Sequence, residues 1–424
     1  MTILVVLFLV LFLLFGAPLF IVVGSAALYS FKGVGLEPAI IVQEIYKLAS
    51  APVLVALPLF TFAGYMLAES RAPQRLVNIS NALIGWLPGG FGIVAIVASS
   101  IFTALTGASG VTIIALGGLL LPALLSAKYP ENFSLGLVTT AGSLGILFPP
   151  SLPVIIYGLV SGVSVDRLFV AGLIPGILVI VILSSYSVYI SFLKGIKSEA
   201  VGFRAFLKAL REVIWEAPLP FLILIGIYAG FFTINEAAAV TAFYVFFVEV
   251  FITRDIPLKK IPSIAKESMV MIGGIIVILG VALGFANFLV DQQVPMIIME
   301  FLKKFFHSKY SFLLALNIFL LIVGCTMDIF SATMVVVPLI APIGNYFGID
   351  PVHLGIIFLT NLSIGYITPP VGTSLFIASF RFNEPVIKLY IVSIPWLLLL
   401  LLCLLIITYY PDLSLFLFKY IQVK

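Results

Sequence analysis

Asp328 is read as the one acid set within an apolar run, beside Met327 and Ser331. A charge at membrane depth is costly, so a carboxylate there either caps the helix that begins near Ile329 or holds a cation. Both readings stay open for Asp328. Hydroxyls gather in two groups, Thr103, Thr106, Ser109 and Thr112 in the first and Thr326, Ser331 and Thr333 in the second. Singly, each would bond the carbonyl four residues back. As groups they are hard oxygen sets that suit a dehydrated Na+ better than a transition metal. Two Pro-Pro pairs, Pro149–Pro150 and Pro369–Pro370, add freed carbonyls, because proline lacks a donor and clashes with the preceding turn. In lipid such breaks are tolerated where backbone lines a wet or ion-filled cavity. No cationic residue is evident beside either hydroxyl group. An anionic substrate would then rest on helix N-termini and small hydroxyls. Arg71, Arg75 and Arg381 either hold that anion or, the favoured reading, lie at interfaces; Glu236, after Asn235, is read in the first turn of a helix ahead of a substrate role.

The elements that must position these residues lie in a membrane. Of 424 residues, 62% are hydrophobic and 9% charged, against about 25% charged in a soluble domain. Mean hydropathy is +1.27. Soluble enzymes, nucleic-acid binders and secreted disulfide scaffolds are excluded, and the net charge of +4 is too small to attract a polyanion. Apolar length allows about 10 to 12 elements at membrane depth, all helical, since open strands leave backbone groups unpaired in lipid. The opening run Ile3–Phe15 lacks a basic n-region and is read as a retained first span. Cys325 and Cys403 read as buried thiols, while His307 and His353 sit in polar connections with no second ligand at metal spacing. No G-x-x-x-x-G-K-[ST] motif occurs, so this chain does not hydrolyse ATP through a P-loop.

Two stretches echo each other. GASGVTIIALGGLLLP (107–122) precedes LGILFPPSLP (144–153), and MDIFSATMVVVP (327–338) precedes IGYITPPVGT (364–373). Each has a small or polar tip, an apolar arm ending in proline, and then G-x-x-x-P-P; the Pro-Pro pairs are 220 residues apart. Short, Gly/Pro-interrupted segments in corresponding positions mark re-entrant hairpins and broken helices. The chain therefore divides into 1–193 (scaffold helices about 1–88, hairpin and broken helix about 89–165), an amphipathic connector at 194–217, and 218–424 (hairpin and broken helix about 311–380). Basic residues place the connector and the segment from Arg254 to Lys266 in the cytoplasm. The halves then enter the membrane from opposite sides. The fold class is an all-α polytopic membrane protein with an inverted-topology repeat, two re-entrant hairpins and two Pro-broken helices. An intramembrane hydrolase is disfavoured, because one buried acid, no buried His and no central lysine supply no catalytic set.

These stretches, with TINEAAAV and GIDPVHLGIIFLTNLSIGYITPPVG, make the chain resemble the large membrane subunit of tripartite ATP-independent periplasmic (TRAP) transporters along essentially its whole length. The resemblance implies a scaffold and an elevator-type transport domain in the bacterial inner membrane. It implies Na+-coupled uptake of a small organic acid delivered by a periplasmic binding protein, beside a small four-helix membrane subunit on a separate chain. No cofactor is implied beyond Na+ as coupling ion. Carried over by motif position, one Na+ site would use Gly107, Ala108 and Ser109 with Gly145, Phe148 and Pro149. The other would use Thr326 and Asp328 with Gly365, Thr368, Pro369 and Gly372. Substrate would lie between the tips, near Ser109, Gly110, Thr112, Ser151, Ser331 and Thr373. The first tip, Gly-Ala-Ser-Gly, has one hydroxyl fewer than is usual in the family, so backbone carbonyls would serve there. The alternative is a stand-alone sodium–carboxylate symporter.

Overall fold

The computed structural model describes residues 7–9, 11–12, 17–35, 37, 39–49, 51–196, 202–306 and 308–420. Most of the expected opening span at 3–15, Lys197 and Glu199 of the connector, and His307 lie outside the described residues. Among the described residues there are helices and connections and no strand. Seven helices are long and apolar enough to cross a membrane, or eight if the pair Val53–Glu69 and Ala72–Ile84, bent by 75°, forms one span.

The first half comprises α1 (Leu19–Val34), α2 (Ala39–Ala49), α3 (Pro52–Glu69), α4 (Ala72–Ile84), α5 (Gly90–Thr106), α6 (Ser109–Ser126), α7 (Glu131–Ala141), α8 (Leu152–Ser161) and α9 (Val165–Lys194). The connector forms α10 (Phe203–Glu212). The second half comprises α11 (Pro218–Tyr228), α12 (Ile234–Ile252), α13 (Ile261–Asp291), α14 (Val294–Lys303), α15 (Lys309–Thr326), α16 (Ile329–Tyr346), α17 (Pro351–Gly365), α18 (Thr373–Phe382) and α19 (Val386–Tyr409). The repeat holds in register. Starts of α5 and α15, α6 and α16, α7 and α17, α8 and α18, and α9 and α19 differ by 219 to 221 residues.

Local chemistry fixes the two hairpins. α5 ends at Gly107, whose φ of +67° suits glycine and whose N–H bonds Thr103 O at 2.8 Å. α15 ends at the extended pair Met327–Asp328, and Asp328 caps α16. The broken helices follow. Residues 142–151 separate α7 from α8, and residues 366–372 separate α17 from α18. Both Pro-Pro bonds are cis.

The halves are interleaved. α8 packs on α16 and α18 packs on α6, so each broken helix ends against the other half's hairpin. Likewise α7 lies along α19 and α17 along α9. α13 packs on α16 of this core and, on its other sides, on α1, α2 and α3, and α3 packs on α12. α10 turns Phe203, Leu207 and Leu210 outward, while Ala209 is buried and the helix packs on α4. That is the pattern of a helix lying in an interface. Lys303 ends α14 with its Nζ 4.0 Å from the centre of the Tyr346 ring. Lys309 opens α15 and donates to Gly348 O at 3.1 Å.

Candidate functional site

At the first hairpin the tip is closed onto the broken helix. A methyl added to Gly107 would lie 2.6 Å from Leu152 Cγ at the start of α8, and one added to Gly142 would lie 2.6 Å from Ser109 O. Gly145 is pressed on the first arm, where a methyl would meet Ser100 O at 2.2 Å and Ala104 N at 2.7 Å. Ala108 is extended and Ser109 opens α6, both half-buried. Gly110 faces Ile377 of α18. Thr112 and Thr103 share a hydroxyl–hydroxyl bond of 2.8 Å across the hairpin, and Thr106 bonds Phe102 O. Pro149 and Pro150 are buried, and the Phe148 ring lies on Gly176 of α9, away from the tip. Ser151 Oγ is buried and accepts or donates no hydrogen bond.

The second hairpin repeats this plan with more polar chemistry. Gly365 occupies the place of Gly145, and a methyl there would fall 2.4 to 2.6 Å from the backbone of Gly324. Gly324 itself stands 220 residues after Ala104. Ile329 N–H donates to Tyr366 Oη at 3.1 Å, and Gly372 N–H donates to Cys325 O at 3.3 Å. Asp328 Oδ1 accepts from the N–H groups of Phe330 (2.9 Å) and Ser331 (3.0 Å), and Oδ2 accepts from the Ser331 hydroxyl. Asp328 is thus an N-cap, satisfying donors that a helix start leaves orphaned. Thr326, Thr333 and Thr368 each bond a carbonyl of their own helix. Thr373 opens α18 half-buried. Pro369, Pro370 and Val371 are exposed, whereas the first break is buried apart from half-buried Phe148.

The fold therefore brings Gly107–Gly110 to 142–152, and 324–329 to 365–372. Asp328 is the one acidic or basic side chain on the two tips and breaks. Buried hydroxyls without partners, Ser151 and Ser374, stand at the starts of α8 and α18. Hydroxyls and turn carbonyls of this kind are ligands for a hard monovalent cation. Phe148 contributes no side-chain oxygen.

Three placements go beyond the sequence reading. Arg381 donates its Nε–H to Ile114 O at 3.0 Å, in a π-helical turn (Ile113–Gly117) of α6. A π-turn frees a carbonyl from the ordinary ladder. Arg381, Ile114, Phe376, Ile377 and Phe380 line a cleft of about 430 Å³, so a cation does stand beside the first hairpin. His353 is 0% exposed, a correction to the expectation of no buried histidine. Asp350 caps α17, Pro351 opens it, and the first turn carries His353 inward to Ser414 Oγ (3.2 Å) and Thr408 O (3.3 Å). Glu249, passed over in the sequence, is a second acid in an apolar run and is 0% exposed on α12. Among the described residues no three acids, histidines or cysteines are grouped to hold a metal.

Comparison with known proteins adds the family context. Residues 4–413 match the model of the "Tripartite ATP-independent periplasmic transporter, DctM component" family. The chain is 37% identical over 373 residues to a C4-dicarboxylate TRAP transporter large permease protein of Pseudomonas aeruginosa, covering 88% of this chain and 87% of that one. It is 35% identical to an isethionate TRAP transporter permease of Oleidesulfovibrio alaskensis, over 96% of this chain and 64% of the longer relative. It is 29% identical to an ectoine TRAP transporter large permease of Halomonas elongata, over 96% of each. The crystal structure of the Alcanivorax borkumensis YdaH transporter shares the fold, with a TM-score of 0.59 at 16% identity over 91% of this chain and 89% of that one.

Proposed function

The chain belongs to the DctM-component family of tripartite ATP-independent periplasmic transporters, a family of inner-membrane permeases and not of enzymes, and from that premise we propose that it imports a small organic acid driven by Na+. One observation carries the proposal. Two hairpin tips meet two Pro-broken helices in matching register, so that glycine backbone, turn carbonyls and buried hydroxyls converge twice. Paired discontinuous helices of this sort bind ions and substrate near the bilayer midplane. One Na+ rests at Gly107–Ser109 with Gly145–Pro149, the other at Thr326–Asp328 with Gly365–Gly372. Helix N-termini at Ser109, Ser151, Ile329 and Thr373 face the substrate carboxylate, and their dipoles favour an anion. The hairpins and broken helices slide together as an elevator between the two sides.

The partners are a small membrane subunit on a separate chain and a periplasmic binding protein that delivers the acid. Dicarboxylate, isethionate and ectoine, named for the relatives, set the range of candidate cargoes. The test is uptake in proteoliposomes holding all three components. Uptake is expected to need an inward Na+ gradient and no ATP. Full uptake in K+-based, Na+-free buffer would overturn the coupling. Full uptake without the binding protein would favour a stand-alone symporter.

A further inference from the structure

A buried ion cluster lies apart from the tips. Arg75 on α4 is 11% exposed and faces Glu216 (1%), Glu249 (0%) and Asp255 (9%). Its Nη1 pairs with Asp255 Oδ2 at 2.6 Å. Its Nη2 stands 3.2 Å from Glu249 Oε1 and also against Glu216 Oε1. One guanidinium nitrogen therefore serves two buried carboxylates. Glu216 Oε2 has no donor beside it, and Arg75 Nε finds no acceptor.

The surrounding groups do not supply the missing positive charge. On α4, Asn78 bonds Glu212 of α10 at 3.2 Å. Lys208 of α10 stands 3.8 Å from Glu212, largely exposed. On α12, the Tyr244 hydroxyl donates to Trp215 O. Thr253 Oγ1 donates to Glu249 Oε2 at 3.0 Å. Arg71 is 84% exposed and stands 3.9 Å from Asp255, the acid already paired with Nη1. Three buried carboxylates face one buried guanidinium, an arrangement in which two like charges cannot both persist without a partner.

We infer that this cluster is a proton-binding site: Glu216 and Glu249 hold one proton between them on Arg75, and that proton keeps the segment 213–217, which follows α10, docked on α4 and α12. A proton on one of the two glutamates removes the excess negative charge without a further ligand set. Burial outweighs the opposing pull of Arg75 and holds Glu216 above the ordinary carboxylate range. A carboxylate raised in the folded state stabilises the fold least when ionised. The contribution is therefore full at acidic pH and is lost as pH rises through the raised value.

The test uses the purified full chain in nanodiscs. Infrared spectra are expected to show a protonated carboxyl C=O band, shifted in D2O, that persists above the ordinary carboxylate range and disappears in Glu216→Gln. The unfolding temperature of the wild type is expected to fall as pH rises above that range, with a flatter profile in the variant. If Glu216→Gln does not fold, Glu249→Gln removes the same excess charge and is read in the same way. A band unchanged in the Glu216→Gln/Glu249→Gln double variant, or equal pH slopes for wild type and variant, overturns the proposal.

Discussion

Asp328 separates two roles that one side chain can carry. As a cap it needs only an acceptor for the N–H groups of Phe330 and Ser331; as part of a Na+ site it also supplies charge. Asn caps about as well as Asp, and Ala costs about 1 kcal/mol at an N-cap. Asp328→Asn is therefore expected to keep the melting temperature within a degree or two while raising the Na+ concentration for half-maximal uptake several-fold. Asp328→Ala is expected to lose about 1 kcal/mol in addition. Unchanged Na+ dependence in Asp328→Asn would leave the residue a cap alone. Asp328 is legible in the sequence because a cap is a local device, reaching two or three residues ahead. Glu249 is not, because its guanidinium partner stands 174 residues away on α4. Nothing near position 249 signals that pairing.

At the scale of elements, the hairpins and the breaks were readable because their punctuation is short-range. Gly107, Asp328 and the Pro-Pro pairs each act within a turn, and the 220-residue echo relates them. What packs on them was hidden: the contact of Gly365 with Gly324, the Asn361 amide on Asn317 (2.8 Å), and the Asn317 amide on Thr408 (3.1 Å) join separate helices. These polar bonds tie α15 to α17 and α19. At the matching positions of the first half stand Val97 and Ala141, which offer no side-chain hydrogen bond. Gly145→Ala and Gly365→Ala should each wedge a hairpin off its broken helix. Loss of about 1–3 kcal/mol and of most uptake is expected. Gly273→Ala, where a methyl meets nothing within 4 Å, serves as the control and should be silent in uptake. Replacing Pro149–Pro150 or Pro369–Pro370 by Ala-Ala favours continuous helix by about 3 kcal/mol per position. Carbonyls bonded within a helix cannot ligate Na+, so both variants should raise the Na+ requirement while still inserting. A lower maximal rate with unaltered Na+ dependence would mark the breaks as hinges only.

For the whole molecule, the proposed orientation puts the connector and the Arg254–Lys266 segment on the cytoplasmic side, as their charge bias suggests. Cysteines placed at Lys208 and Ser263 are therefore expected to resist an impermeant maleimide applied to intact cells and to react after permeabilisation. Labelling from outside would reverse the orientation. The interleaving of the halves has a consequence for how such a chain is made. Because α8 rests on α16, the first half leaves the ribosome with a binding face bare. It waits for residues 329–346, roughly ten to thirty seconds of synthesis at ordinary bacterial rates. A chain stopped after residue 217 should thus be a substrate for membrane proteases. Two separately translated halves, 1–217 and 218–424, should rescue each other only when produced together in one cell.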